Sequence, residues 1–131
     1  MDDLKVLEGK VIQALIMDSD KVQIAFITDQ GRYNFFCEAD CCSESWINHV
    51  ADIDVLLGHK VNEVESIDMF GLLQVTPEPT RQECDQVMFH RLHTDKGICV
   101  LEFRNSSNGY YGGWLTEQGN DFDGEPITED F

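Results

Sequence analysis

The chain has 131 residues, 42% of them apolar, and carries 25 acids against 9 bases for a formal charge of −16. That length suits one domain that buries about two thirds of its unfolded surface without a disulfide or metal staple. So negative a surface repels phosphate backbones and anionic lipids at long range, which disfavours direct nucleic-acid or membrane binding.

In chain order, the start Met1-Asp2-Asp3-Leu4-Lys5 offers two acids where a secretory leader would carry bases. The apolar runs Val11–Met17 and Val22–Ile27 are interrupted by Gln13 and Gln23 and are far shorter than a membrane span, so a cytoplasmic protein is expected. Val11, Gln13, Leu15 and Met17 alternate with Ile12, Ala14 and Ile16 and predict a first strand, closed by the polar turn 18–21. Val22 to Ile27 predict a second strand, Asp29-Gln30-Gly31 a tight connection, and Tyr33 to Cys37 a third strand. Apolar residues on both faces suggest a sheet covered on both sides or curled.

Ser43-Glu44-Ser45 ahead of Trp46 and Val50 predicts a short helix over Glu44 to Val50. A further helical turn over Ile53 to Leu57 is stopped by Gly58. Lys60 to Asp68 predict a strand, Leu72 to Val75 another apolar segment, and the polar stretch 76–83 with Pro77 and Pro79 a loop. Val87–His93 and Ile98–Phe103 flank Thr94-Asp95-Lys96-Gly97 as a hairpin, and Tyr110–Leu115 predict one more strand. The expected fold is α+β, mainly antiparallel β: a curled sheet or small barrel-like meander with one or two short helices. Residues 1–118 are expected to form a single domain and residues 119–131 an acidic, flexible tail.

Several clusters could carry chemistry. In Cys37-Glu38-Ala39-Asp40-Cys41-Cys42-Ser43-Glu44-Ser45-Trp46, a thiol near a helix start would gain thiolate character, while Glu38, Asp40 and Glu44 oppose it. The competing reading is structural, with capping hydroxyls, an anchoring Trp46 and thiols acting as small apolar groups. Cys84, His90 and His93, with Cys41 or Cys42, lack the paired spacing of a zinc site, so no metal or other cofactor is expected. A Cys-His catalytic pair using His49, His59, His90 or His93 rests on residue types alone, and no catalytic residue is assigned. The segment Arg104-Asn105-Ser106-Ser107-Asn108-Gly109-Tyr110-Tyr111-Gly112-Gly113 combines turn formers with a guanidinium and two phenols. It can wall a ligand site or simply shape a hairpin. The candidate ligand-binding set is therefore Arg104, Asn105, Asn108, Tyr110 and Tyr111, with Asp40, Cys42, Ser43 and Trp46.

The segments 40–47 and 104–113, with Gly9-Lys10-Val11, Leu57-Gly58-His59-Lys60-Val61 and Thr94-Asp95-Lys96-Gly97, resemble a family of small phage and bacterial proteins of unknown function. The resemblance covers most of the chain and implies a fold unit and a mobile-element setting in a bacterial host cell. Where that family usually has glycine before Asp-Cys-Cys-Ser, this chain has Ala39. Function is expected to be non-enzymatic: a binding or inhibitor protein whose acidic surface engages a basic host protein, as a nucleic-acid mimic. The alternatives are a binder of a nucleotide-like small ligand and, third, a thiol-dependent enzyme. Oligomeric state is left open.

Overall fold

The computed structural model describes residues 3–69, 76–109 and 112–131. Its strands are β1 (Ile12–Met17), β2 (Gln23–Thr28), β3 (Gly31–Ala39), β4 (Glu44–Ala51), β5 (Glu63–Asp68), β6 (Cys84–Thr94), β7 (Gly97–Ser107), β8 (Gly113–Gln118) and β9 (Glu125–Pro126). They form two antiparallel sheets, ordered β8-β3-β2-β1-β9 and β4-β7-β6-β5. Helix in the described residues is confined to two short 3-10 turns, Asp3–Leu7 and Ile53–Val55, and to Met69. The mainly antiparallel expectation holds; the α+β label overstated the helices, and the described strands close no barrel.

Local chemistry sets the hairpins. Asp18 accepts the backbone N–H groups of Val22 and Gln23 on one carboxylate oxygen, each at 2.9 Å, which closes the β1–β2 turn. The β2–β3 and β6–β7 hairpins share one device. In each, a threonine pairs with a glycine across a two-residue loop, Thr28 with Gly31 and Thr94 with Gly97. Each hydroxyl accepts the N–H two residues on; that of Thr28 donates to the Gly31 carbonyl at 2.8 Å, while that of Thr94 donates to the Val55 carbonyl at 2.8 Å, with the Gly97 carbonyl farther off at 3.4 Å.

The predicted helix at 44–50 is strand β4. Ser45, Trp46, Ile47 and Val50 are buried, and the register with β7 shifts between Ile47 and His49. A bulge of this kind inserts one extra residue and changes the inward spacing from two to three. That irregular step imitates one helical turn in the sequence. The turn after it is as expected: Ile53–Val55 is helical, and Gly58, at φ +83°, ends the segment with its N–H on the Ile12 carbonyl at 2.7 Å. The predicted segment Leu72–Val75 lies outside the described residues.

One core lies between the sheets. Leu15, Ile24, Phe26 and Phe35 from the first meet Ile47, Leu92, Leu101 and Phe103 from the second, with Leu4, Leu7 and Leu56 from the helical turns. Phe26 and Phe35 pack edge to face at 5.7 Å. Residues 119–131, expected as a flexible tail, make specific contacts. Pro126 and Glu125 pair with Ile16 and Met17, and Phe131 exchanges both backbone hydrogen bonds with Val50 at 3.1 Å each. Asp130 accepts the N–H groups of Asp52 and Ile53. Composition alone describes the segment's own low apolar content, not the edges of β1 and β4 that it meets.

Candidate functional site

The two singled-out segments meet where β3 leaves the first sheet and β4 enters the second. Residues 40–43 make the crossing. Ser43 bonds the Asp40 carbonyl through both its N–H (3.0 Å) and its hydroxyl (2.6 Å). Asp40 in turn exchanges bonds with Gly112, donating its N–H to the Gly112 carbonyl at 2.9 Å and accepting the Gly112 N–H on its carboxylate at 3.2 Å. Asn105, buried on β7, donates to the hydroxyls of Ser43 (3.1 Å) and Ser45 (2.9 Å). The hydroxyls taken in the sequence as helix caps serve Asn105 instead: Ser45 is its register partner within the second sheet, and Ser43 ties the crossing segment to that sheet. Gly113 makes the close approach possible: a Cβ there would fall 2.1 Å from the Ser45 hydroxyl, 2.6 Å from the Glu38 carbonyl and 2.7 Å from the Asn105 amide nitrogen.

The left-handed residue of the turn is Cys42, at φ 70°, while Ala39 is extended at the end of β3. Gln82 donates to the Cys42 carbonyl at 2.9 Å. Cys41 and Cys42 are both exposed, with their sulfur atoms 3.1 Å apart. Hydrogen bonding of the Cys41 thiol to Cys42, together with the Cys42 charge when ionised, raises the Cys41 pKa. Burial above all pushes the Cys37 thiol far above its ordinary range and that of Cys99 up to about 12, with Asp18 and with Asp130 and Asp52 adding to it respectively.

Beside this turn lies a chain of polar contacts around Arg104. Its guanidinium donates to Asp85 at 2.8 Å, Glu102 at 3.0 Å and the Glu78 carbonyl at 3.2 Å. Thr80 donates to Asp85 through its hydroxyl (2.6 Å) and its N–H (3.2 Å), so Arg104 and Asp85 together hold loop 76–83 on the sheet. On the other side Asn48 joins Glu102 (2.7 Å) to the Trp46 indole N–H (3.1 Å). Arg81 lies over the Trp46 ring, 3.6 Å from its centroid, and 3.7 Å from Glu44. Burial works to raise the Asp85 pKa, but hydrogen bonds from Thr80, Ser106 and Arg104 outweigh it and hold the carboxyl below the ordinary range. Burial likewise acts to lower the Arg104 pKa, and bonding to Asp85 and Glu102 reverses this, keeping the guanidinium charged.

The structure thus brings Asp40, Ser43, Trp46, Asn105 and Arg104 into one neighbourhood, with Cys42 on its rim. Asn108 is exposed beyond β7, and Tyr110 and Tyr111 lie outside the described residues. Sequence reasoning missed Thr80, Arg81, Gln82 and Asp85; the only local signal was a polar, proline-bearing loop followed by an aspartate near the start of β6. Three histidines have partners of their own: His93 with Glu65 at 2.7 Å, His90 with Ser66 at 2.6 Å and His49 with the Phe131 carbonyl at 3.1 Å. Among the described residues no three His, Cys, Asp or Glu side chains gather to hold a metal ion.

Two open concavities flank the β1–β2 turn. One, of about 510 Å³, is lined by Asp20, Glu38, Glu44 and Arg81 among others. The second, of about 770 Å³, includes Asp18, Lys21, Asp123 and Glu125. Each sets three carboxylates against one cation, and both cations are engaged: Arg81 as above, and Lys21 over the Phe131 ring at 4.3 Å.

Comparison with known proteins adds lineage. A family described as a domain of unknown function, DUF7448, matches residues 5–115. An uncharacterized protein of Acanthamoeba polyphaga mimivirus is 39% identical over 98 residues, covering 72% of this chain and 74% of the relative. No solved structure matches.

Proposed function

Since the chain belongs to the DUF7448 family, whose description carries no activity, we propose from its surface that it is a non-enzymatic protein-binding module for a basic partner. The observation that carries this is the carboxylate rim around the β1–β2 turn, formed by Asp18, Asp20, Glu38, Glu44, Asp123 and Glu125. Elsewhere three of the arginines are paired with acids. Arg32 pairs with Asp121, Arg91 with Glu65, and Arg104 with Asp85 and Glu102, leaving the −16 excess to set the outer field. A partner whose cationic groove normally holds nucleic acid fits this surface, and the mimivirus relative is compatible with action on a host component. The ligand-sequestering alternative draws less support, because Arg104 is already occupied by two carboxylates and both concavities repel anions. A thiol enzyme draws less again, because hydrogen bonding with Cys42 raises the Cys41 pKa rather than lowering it.

The test is competition. Basic nucleic-acid-binding proteins carrying a labelled duplex are titrated with the intact protein at several salt concentrations. Displacement that weakens steeply with salt, and is lost when Asp20, Glu44, Asp123 and Glu125 are changed together to lysine, supports the reading. Displacement by no member of the panel, or equal displacement by the lysine variant, refutes it.

A further inference from the structure

We propose that Cys41 and Cys42 form a reversible redox modification site, closing to a disulfide between adjacent residues by exchange with a small-molecule disulfide. Three observations converge on the pair. The sulfurs are already 3.1 Å apart, both residues are exposed, and Cys42 occupies the left-handed position of the turn, so the two side chains leave the backbone on the same side. The turn is itself held in place by Asp40 with Gly112 and by Gln82 on the Cys42 carbonyl.

Closure brings the sulfurs from 3.1 Å to a bond of about 2.05 Å. In the exchange, the thiolate of one cysteine attacks a sulfur of the external disulfide, forming a mixed disulfide and releasing the first small thiolate. The second cysteine thiolate attacks the protein-side sulfur, forming the Cys41–Cys42 bond and expelling the second small thiolate. Two cysteines are oxidised, one external disulfide is reduced to two thiols, and the two cysteine protons end on those thiols. Adjacent Cα atoms stand about 3.8 Å apart, closer than the roughly 4.4–6.8 Å that disulfides favour. The ring is consequently strained and more easily reduced than a structural disulfide, as a reversible switch requires. The other cysteines do not share this geometry: Cys37 and Cys99 are buried, and Cys84 lies on β6 across from Ser107.

Folded full-length protein is equilibrated with glutathione disulfide, quenched with an alkylating reagent and mapped by mass spectrometry. The expected product has lost two hydrogens, carries no alkyl group on Cys41 or Cys42, and recovers both labels after mild reduction. Cys41→Ser and Cys42→Ser should each instead retain a stable glutathione adduct on the surviving neighbour, because no resolving thiol remains. A stable glutathione adduct on Cys41 or Cys42 of the unaltered protein without the two-hydrogen loss overturns the proposal. So does a disulfide from either residue to Cys84 or to a second molecule. Circular dichroism of the two serine variants checks that each remains folded.

Discussion

Replacing Asp85 with alanine tests whether the contacts around Arg104 hold loop 76–83 to the second sheet. The Asp85 side chain is wholly inaccessible and that of Arg104 is 16% exposed, so the pair lies in a medium where solvent screens it little. The substitution removes the 2.8 Å bond from Arg104, both bonds from Thr80 and the bond from Ser106. A net value of about 1.5–3 kcal/mol applies to a hydrogen bond with a charged group. Arg104 keeps Glu102 and the Glu78 carbonyl, and Thr80 is exposed and can turn to water. The loss should therefore sit near the low end for breaking a buried pair, about 3 kcal/mol. Its pH dependence has a definite sign. The folded carboxyl titrates below its unfolded value, so the stabilisation is complete above the unfolded pKa, near about 4, and fades as pH falls through the folded pKa. Urea unfolding followed by tryptophan fluorescence should show a wide gap between parent and Asp85→Ala at neutral pH and a narrower one near about pH 3. A cycle with Arg104→Met should give a coupling of about 2 kcal/mol. A gap under about 0.5 kcal/mol at neutral pH, or the same gap at both pH values, would refute this account of the loop.

Gly113→Ala should destabilise the protein by about 3 kcal/mol or more, because the added methyl meets the Glu38 backbone carbonyl as well as the Ser45 hydroxyl. Adding Ser45→Ala should recover only part of that in chemical denaturation, and full recovery would mean that the backbone approach is not limiting. Phe131→Ala should cost about 1.5 kcal/mol, roughly half the usual loss for a buried phenylalanine, since the ring is half-buried against the core and over Lys21. An unchanged thermal midpoint would show that the terminal ring contributes nothing to the folded state.

The hairpins were legible because their chemistry is local. Thr94-Asp95-Lys96-Gly97 contains the hydroxyl, the polar loop and the glycine that its turn uses, and β1 and β2 show their apolar periodicity openly. Strand β4 was not legible, because a bulge gave it the spacing of a helical turn, and a bulge is defined by its partner strand β7. The candidate site was half legible. Asp40–Trp46 and Arg104–Gly113 stood out for their residue types, but nothing in either named the other, or named Asp85 and loop 76–83 as partners of Arg104.

By itself the amino-acid sequence determined the antiparallel β character, the positions of the tight turns and the acidic excess, because each depends on residues a few positions apart or on a simple sum. The tertiary structure decided which hydroxyls bind Asn105, why residue 113 is a glycine, where the guanidinium of Arg104 is taken up and where residues 125–131 lie. Those are contacts between segments some 20 to more than 100 residues apart, and a chain acquires them only when both sheets share one core.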